Sequence, residues 1–321
     1  MQGELVVVFG GSGFLGKQIV RALAKAGARV RVPMRRPHLG ADLRVMGGVG
    51  QIQLVQANLR FSDSVARALE GADAVVNCVG LLHEKGTQNF SELHVKGAEA
   101  IADAAAARGI TRFVHVSAIG AGAKAKSRYW RTKGEAEDYI RAKVPTATIL
   151  RPSIIFGPED SFFNRFADMA KFMPVMPLIG GRTKLQPAYV GDVAKGVLAA
   201  LGRIDARGRT YELGGPRVYT MRELIAFTLK QAARPRFLFP VPLFIAQIKG
   251  MLLDAIFKLN PFAGPPLTGD QVAMLRKDNV AGADMPGFAA LGVGELETIE
   301  AVAPSYLWRF RPHGQFEAEP A

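Results

Sequence analysis

A glycine-rich turn near the start of the chain places the strongest constraint on its fold. The apolar run Leu5–Phe9 leads directly into the pattern Gly10-x-x-Gly13-x-x-Gly16, and a helical pattern follows from Phe14 to Lys25. A buried strand, a tight glycine turn and a helix N-terminus together form a dinucleotide-binding loop, because glycine lets the backbone approach the pyrophosphate and the helix presents free N–H groups. The residues predicted to contact the nucleotide here are Gly10, Ser12, Gly13, Phe14, Leu15 and Gly16.

Strand and helix patterns alternate through the first 150 residues and beyond. The predicted strands after the first lie around Val30 and Val32 and over Ile52–Val55, Ala74–Val79, Arg112–Ser117, Ala147–Arg151 and Thr210–Leu213. The predicted helices are Phe14–Lys25, Phe90–Arg108, Tyr129–Lys143 and Gly191–Leu201. Such alternation builds a parallel sheet with right-handed crossovers. We therefore predict an α/β fold, a Rossmann-like doubly wound parallel sheet with a smaller, mostly helical C-terminal lobe.

Shifts in composition suggest three parts. We expect residues 1–235 to form the dinucleotide-binding domain, with insertions of the C-terminal lobe after 151, residues 236–305 to form a small helical lobe or docking segment, and residues 306–321 to form an extended tail. The stretch Phe237–Phe257 is strongly apolar, although Pro240, Pro242, Lys249 and Asp254 interrupt it. Two interpretations stay open for this stretch: a segment that docks on a membrane face or a partner helix, and the core of the small lobe.

The chain carries a formal net charge of +13. An excess of cations on this scale favours an acidic partner, which could be a protein surface, an anionic membrane face or nucleic acid, unless the charge is only a solvated surface. The cations are scattered and no nucleic-acid-binding module is present, so we predict no nucleic-acid partner.

Cys78 is the single cysteine, which excludes an intramolecular disulfide and a cysteine-based metal cluster. The five histidines lack the spacing of metal ligands, and we predict no metal site. No run of 18 or more apolar residues is free of charge, which argues against a transmembrane helix, and the N-terminus lacks the pattern of a signal peptide.

The charges after the second predicted strand indicate which nicotinamide dinucleotide is bound. An NAD site usually carries an acidic residue there to hold the ribose 2′-hydroxyl. This chain has no Asp or Glu between Gly16 and Asp42, and it places Arg35 and Arg36 just past the strand. Guanidinium groups suit a 2′-phosphate, so we predict NADPH as the cofactor.

Ser117 ends a predicted strand, and Tyr129-x-x-x-Lys133 follows on a predicted helix. In short-chain dehydrogenases such a tyrosine exchanges a proton with the substrate oxygen, the lysine lowers the tyrosine pKa and holds the nicotinamide ribose, and the serine hydrogen-bonds the carbonyl. The same three residues can also hold a cofactor that never turns over, so they are candidate catalytic residues that could be vestigial.

The chain resembles the short-chain dehydrogenase/reductase superfamily, in its extended or atypical type. Within that superfamily it is most similar to the nucleotide-binding accessory subunits of respiratory complex I (NADH:ubiquinone oxidoreductase) and their bacterial relatives. The broader resemblance rests on the glycine turn, Asn77–Gly80, Ser117, Tyr129, Lys133, Arg151–Pro158 and Pro187–Ala194. The closer one rests on Val114–Ala118, Ser127–Lys133, Phe156–Phe166 and Pro304–Pro312.

The resemblance implies further contacts to the nucleotide. They are Asn58, Leu59, Cys78, Val79, Gly80, Pro152, Ile154 and Ile155, together with Ser117, Tyr129 and Lys133. Extended enzymes commonly carry an acidic residue near the adenine where this chain has Asn58-Leu59, so an acidic contact to the adenine is not expected here. His94 stands where many of them place an asparagine near the active site.

What the resemblance implies about function is an NADPH-binding accessory or assembly subunit of complex I, with the cofactor held as a structural group. Its partners would be other complex I subunits at the junction of the peripheral and membrane arms, with anionic lipid as a further contact. It would lie on the cytoplasmic face of a bacterial inner membrane, or on the matrix side in a mitochondrion. The alternatives are an active NADPH-dependent reductase or epimerase, for example in ubiquinone biosynthesis, and a redox-sensing regulatory module.

Overall fold

The computed structural model describes residues 1–81, 84, 89–258 and 267–316. The strands are β1 (Leu5–Phe9), β2 (Arg29–Met34), β3 (Ile52–Gln56), β4 (Ala74–Asn77), β5 (Phe113–Val116), β6 (Thr148–Pro152), β7 (Ile155–Phe156), β8 (Val175–Ile179), β9 (Lys184–Leu185), β10 (Ala188–Tyr189), β11 (Thr210–Leu213), β12 (Tyr219–Thr220) and β13 (Phe237–Val241).

The α-helices are α1 (Phe14–Lys25), α2 (Ala41–Arg44), α3 (Ser62–Ala68), α4 (Gly97–Ala106), α5 (Arg128–Lys143), α6 (Phe163–Phe172), α7 (Val190–Gly202), α8 (Met221–Gln231), α9 (Leu243–Lys258), α10 (Gly269–Met274), α11 (Ile299–Val302) and α12 (Pro304–Leu307). A π-helical turn, Ser91–Lys96, leads directly into α4. No helix in the described part of the chain is long and apolar enough to cross a membrane.

The chain forms two compact units. The first comprises Met1–Pro152, Gly191–Leu213 and Gly282–Gly294, and the second comprises Ser153–Val190, Gly214–Ala281 and Glu295–Ala321. These units differ from the predicted division at residues 235 and 305. Segments 153–190 and 214–235, which follow residue 151 where insertions of the C-terminal lobe were expected, belong to the second unit, whereas 282–294 belongs to the first. A pattern read along the chain divides it into contiguous pieces, and the division observed here depends on which segments pack together in space.

The first unit is built on a seven-stranded sheet in the order β3-β2-β1-β4-β5-β6-β11, and every adjacent pair of strands is parallel. The predicted doubly wound α/β fold is confirmed. Strand order reverses between β1 and β4, where Phe9 pairs with Asn77. In open parallel sheets, ligands bind at the carboxyl ends of the strands at such a switch point.

Apolar strands and one-sided helices explain why this sheet forms. All five residues of β1 are buried, as expected for a parallel strand covered by helices on both faces. Helix α1 buries one side, including Leu15, Ile19 and Leu23. Helices α4 and α5 cover the sheet with a core that contains Ile101, Phe113 and Ile140. This packing fixes the strand ends that carry the candidate site.

The second unit combines helices with two-stranded sheets. Strands β7 and β10 pair in parallel, β9 and β12 pair antiparallel, and β8 and β13 pair in parallel. Its core includes Phe156, Phe163, Leu224 and Leu307. Helix α9 packs closely on α10 at Gly250, where an added Cβ would lie only 2.8 Å from the backbone nitrogen of Gly269.

The prediction of an extended tail from residue 306 is wrong for residues 306–316, and residues 317–321 lie outside the described part. The chain instead forms helical turns at Trp308–Phe310 and Gly314–Phe316, with Tyr306 and Phe310 buried. The Tyr306 hydroxyl donates to Asp160 Oδ2 at 2.6 Å. Burial and the neighbouring Asp160 carboxylate both raise the pKa of Tyr306. Tyr306, Leu307 and Phe310 are part of the core of the second unit.

Candidate functional site

The glycine turn after β1 admits no side chain at two of its three glycines. Gly10 has φ +82°, and a Cβ there would lie 2.9 Å from the backbone carbonyl carbon of Cys78. A Cβ on Gly16 would lie 2.6 Å from Gly11 Cα and would also overlap the Gly10 carbonyl oxygen. Gly13 is less confined, because its nearest neighbour would be the Gly10 carbonyl oxygen at 3.3 Å. These glycines bring β1, β4 and α1 close together at the switch point.

The N-terminus of α1 is suited to an anion. Gly13 is its N-cap residue and supplies no side-chain hydrogen bond, and the first turn contains no acidic residue. The first N–H groups of a helix have no intrahelical acceptor, and the helix dipole places positive charge there. The pyrophosphate of a dinucleotide suits this arrangement of donors.

The chain after β4 faces the glycine turn. The Asn77 side-chain oxygen accepts the Val79 N–H at 3.1 Å, which turns the backbone at the end of the strand. Cys78 Sγ donates to the Phe9 carbonyl oxygen at 3.1 Å. Burial raises the pKa of Cys78 to about 12, so this thiol remains protonated and unreactive at neutral pH. A Cβ on Gly80 would have Lys133 Nζ as its nearest neighbour, at 3.7 Å.

The chain after β2 is cationic. Arg35 and Arg36 are both exposed directly beyond the strand. Asp42, the first acidic residue after the glycine turn, lies 3.0 Å from Lys17 Nζ. Within the described residues, neither arginine forms an ion pair with a carboxylate. Both guanidinium groups therefore face solvent where a 2′-phosphate could reach them.

The chain after β3 forms a hydrogen-bonded turn. Asn58 Oδ1 accepts the Arg60 N–H at 3.2 Å, and the Asn58 N–H donates to Ser64 Oγ at 3.0 Å. Leu59 is half-buried against the core, and a Cβ on Gly97 of α4 would lie 3.1 Å from its side chain. Leu59 thus offers an apolar contact where the acidic side chain of many extended enzymes would stand.

Ser117 and Lys133 lie at the carboxyl ends of β4 and β5, and Tyr129 lies one turn before Lys133 on α5. Lys133 is buried, and its Nζ donates to the carbonyl oxygens of Val79 at 3.1 Å and Val116 at 3.0 Å. Burial lowers the pKa of Lys133 to about 8. Ser117 Oγ is buried and has no hydrogen-bond partner among the described residues. A buried hydroxyl without a partner is costly, so this group is suited to a ligand that would complete its hydrogen bonding.

Tyr129 lies in the first turn of α5 and is half-buried. Burial raises its pKa to about 12. The ring of His94 meets the Tyr129 ring edge-on at 5.4 Å between centroids, and Phe90 stacks on His94 at 5.2 Å and meets the Tyr129 ring edge-on at 5.9 Å. The phenol is thus held in an aromatic setting and stays protonated near neutral pH.

His94 has a fixed neutral form, set by its two partners. Its Nε2 accepts the Leu81 N–H at 3.0 Å, and its Nδ1 lies 3.1 Å from Thr132 Oγ1. The Thr132 hydroxyl donates to the Tyr129 carbonyl oxygen, so His94 Nδ1 must be the donor to Thr132. Burial and the nearby Lys133 lower the pKa of His94 to about 2. His94 therefore orients its neighbours and does not exchange protons at neutral pH.

Comparisons with known proteins identify the family. Residues 10–161 match a family model described as NAD(P)H-binding. The mitochondrial NADH dehydrogenase [ubiquinone] 1 alpha subcomplex subunit 9 of Mus musculus is 35% identical over 328 residues, which covers 100% of this chain and 85% of the mouse protein. The chain belongs to this subunit 9 family.

Two further likenesses bear on the site. The ceramide reductase of Caulobacter vibrioides is 32% identical over 195 residues, 61% of this chain and 60% of the reductase. A nucleoside-diphosphate-sugar epimerase from Staphylococcus aureus has the same fold, with a TM-score of 0.70 and 18% identity over 94% of this chain and 99% of the epimerase. The prediction of a short-chain dehydrogenase/reductase fold is confirmed.

A nicotinamide nucleotide is the cofactor class of this domain. The glycine turn, the N-terminus of α1 without a side-chain cap, and the Ser117 hydroxyl, which has no hydrogen-bond partner in the described part of the chain, fit such a group. When bound, its nicotinamide ring would supply or accept a hydride. Lys133 and Ser117 lie in the first unit beside the strand ends, as does Pro152 at the end of β6.

Ile154 and Ile155, also predicted to contact the nucleotide, belong to the second unit. The Ile154 N–H donates to Asn279 Oδ1 at 3.1 Å, and Ile155 pairs with Ala188 of β10. Their contacts to the nucleotide remain a prediction, as do those of the other site residues.

Glu137 is a supporting residue that the sequence reasoning missed. It is buried on α5, one turn beyond Lys133, and accepts hydrogen bonds from Arg151 Nε at 2.9 Å and Arg141 Nη2 at 2.9 Å. It joins the helix that carries Tyr129 and Lys133 to β6. The four-residue spacing of Tyr129, Lys133 and Glu137, together with an arginine at the end of the next strand, is the signal that could have found it.

Proposed function

We propose that this chain is an NADPH-binding accessory subunit of respiratory complex I. The proposal rests on the similarity to the mouse subunit along the whole chain, together with the glycine turn after β1. Its partners would be other complex I subunits at the junction of the peripheral and membrane arms. It would lie on the cytoplasmic face of a bacterial inner membrane, or on the matrix side in a mitochondrion.

The nucleotide in this proposal is a structural group that is not turned over. In an active site of this type the lysine lowers the tyrosine pKa toward neutrality, because a general acid or base works best near the operating pH. Here the Lys133 ammonium is engaged by two carbonyl oxygens, and burial raises the pKa of Tyr129 to about 12. Lys133 and Tyr129 would then hold the nicotinamide ribose without serving a reaction.

NADPH is favoured over NADH by the residues that follow β2. Arg35 and Arg36 offer guanidinium groups to a 2′-phosphate, and the nearest acidic side chain, Asp42, is engaged by Lys17. An acidic residue that would hold a 2′-hydroxyl is missing from the sequence between Gly16 and Asp42.

Contact with anionic lipid would come from α9. This helix exposes a row of large apolar side chains at Phe244, Ile248, Met251, Leu252 and Ile256. An exposed apolar face on a helix in a strongly basic protein is suited to the interface of an anionic membrane. Sedimentation with phosphatidylglycerol vesicles should fall in the double variant Ile248→Ser/Leu252→Ser. It should not fall in the matched control Ile204→Ser/Val218→Ser, and equal binding by both variants would reject this contact.

An active reductase is the second candidate, and one observation favours it. Ser117 Oγ is buried and forms no hydrogen bond with the residues that the structure describes, as a group that binds a substrate carbonyl would. The similarity to a ceramide reductase covers 61% of this chain. If the chain is a reductase, bound NADPH should be oxidised when a carbonyl substrate is added.

Extraction of membranes with a mild detergent tests the proposal. The chain should migrate with complex I on native gels, and denaturation of the purified complex should release one NADPH for each copy of the chain. Migration as a free monomer would reject the accessory-subunit proposal. Oxidation of the bound nucleotide by a carbonyl compound, abolished in Tyr129→Phe, would favour the reductase.

A further inference from the structure

A run of cations lies between two residues of the candidate site. The segment 118–131, which we call the cationic loop, follows Ser117 and includes the first turn of α5. It contains Lys124, Lys126, Arg128 and Arg131 and no acidic residue. Lys124, Lys126 and Arg128 are exposed, and Arg128 Nη1 lies 2.8 Å from Glu84 Oε2. The proposed function assigns no role to these charges.

The cationic loop is held firmly on α5. The Gly122 N–H donates to the Trp130 carbonyl oxygen at 3.2 Å, and Arg131 Nη1 donates to the Ala125 carbonyl oxygen at 3.4 Å. A Cβ on Gly134 of α5 would lie 2.5 Å from the Ala123 backbone nitrogen, so the loop and the helix are in close backbone contact. A preformed loop loses little conformational entropy when a partner binds it.

Two lysines of the loop have no counter-charge in the described part of the chain. Neither Lys124 nor Lys126 lies within ion-pair distance of a described carboxylate. The N-terminus of α5, whose dipole is positive, lies directly after them. Lysines that form no ion pair with a described carboxylate, next to a helix N-terminus, create a positive potential that favours anions.

The small side chains around the two lysines indicate what kind of anion fits the cationic loop. Residues 119–125 are Ile, Gly, Ala, Gly, Ala, Lys and Ala, and Ile119 is buried. The exposed part therefore offers small side chains and cations, without the large apolar groups that membrane insertion requires. Small side chains beside exposed ammonium groups suit close approach of carboxylates on a protein surface.

We propose that the cationic loop docks an acidic segment of a partner protein chain, beside the nucleotide site. This inference rests on the proposed function, because it supplies the interface by which an accessory subunit is recognised. It also gives a location to the acidic partner that the net charge of +13 favours.

Zero-length carbodiimide cross-linking of the detergent-extracted native complex is the first test. This reagent joins a lysine amine to a carboxylate already in contact with it. Mass spectrometry should find Lys124 or Lys126 joined to Asp or Glu of another chain. The inference is overturned if these lysines join only Glu317 or Glu319 of the same chain, or join no carboxylate while other lysines of the complex react.

Charge reversal is the second test. Lys124→Glu/Lys126→Glu should lower the affinity for the complex on the order of tenfold, with the effect shrinking as salt is raised. Arg21→Glu/Lys25→Glu is the matched control, because it reverses two exposed charges on α1 of the same unit. Unchanged NADPH content in both variants would show that they fold. Equal retention of the two variants in the complex at every salt concentration would refute the docking site.

The two proposals can fail separately. Absence of the unaltered chain from complex I rejects the proposed function, and cross-links in the membrane extract then decide the docking inference alone. If the unaltered chain is present in complex I and Lys124→Glu/Lys126→Glu binds the complex as tightly as the unaltered chain does, only the docking inference is rejected. If that variant no longer binds phosphatidylglycerol vesicles but still binds the complex, the loop contacts lipid, and the inference is also overturned.

Discussion

Replacing Glu137 with glutamine tests how the helix that carries Tyr129 and Lys133 is held against the sheet. The Glu137 side chain is 1% exposed and contacts Arg151 Nη2 at 2.6 Å and Arg141 Nη2 at 2.9 Å. Removing one charge from a buried ion pair leaves the other uncompensated and costs roughly 3–5 kcal/mol. Arg151 is 20% exposed and lies 3.7 Å from Glu212, so part of its charge stays compensated. We expect a loss of about 3 kcal/mol, near the lower limit of that range.

The neighbouring residue provides the matched control. Asp138 is 66% exposed and lies 3.4 Å from Arg141, so Asp138→Asn should cost less than about 1 kcal/mol. At roughly 2–4 °C per kcal/mol, Glu137→Gln should lower the Tm of the first unit by about 6–12 °C. Thermal unfolding followed by circular dichroism, with and without NADPH, measures both variants. Equal Tm values for Glu137→Gln and Asp138→Asn would refute the assignment of Glu137 as the clamp on α5.

Three further outcomes are expected from the site. Arg35→Ala should weaken NADPH binding by about 10–100-fold and leave NADH binding nearly unchanged, whereas the control Arg44→Ala should alter the binding of neither nucleotide. Equal losses of affinity for both nucleotides in Arg35→Ala would show that Arg35 does not contact the 2′-phosphate. The difference in absorbance at 295 nm between the unaltered protein and Tyr129→Phe should show phenolate only near pH 12, and a midpoint between pH 7 and 8 would instead indicate an activated catalytic tyrosine. The pKa of Lys133 is about 8 in the folded chain and about 10.4 in the unfolded chain, so the unfolded chain binds more protons between these pH values. The free energy of unfolding of the unaltered protein should therefore rise from pH 8 to 10 relative to that of Lys133→Met. A difference between the two proteins that stays constant with pH would contradict the burial of a charged amine.

Much of the first unit could be predicted because its local patterns agree with its packing. Helix α1 has the predicted bounds Phe14–Lys25, and β11 has the predicted bounds Thr210–Leu213. The fourth strand was predicted to reach Val79 but ends at Asn77. The Asn77 side chain accepts the Val79 N–H there and bends the chain out of the strand, which no hydrophobic pattern reveals.

The supporting contacts of the site could not be predicted, because each joins residues distant in the sequence. Glu137 contacts Arg151 only once α5 lies beside β6. The tautomer of His94 follows from the direction of the Thr132 hydrogen bond, which depends on how the π-helical turn meets α5. By contrast, the glycine turn was predictable because strand, turn and helix are consecutive in the chain.

The chain passes from one unit to the other five times, and this has a consequence for how the protein can be made and dissected. The nucleotide-binding unit needs β11 beside β6 and also residues 282–294, so it is complete only after about nine-tenths of the chain has left the ribosome. No single truncation can yield either unit free of segments of the other. A nonsense mutation anywhere before residue 282 should therefore abolish nucleotide binding, even though the glycine turn lies within the first sixteen residues. The earliest-made part of the site stays unfinished, and exposed to chaperones and proteases, for most of the time that synthesis takes.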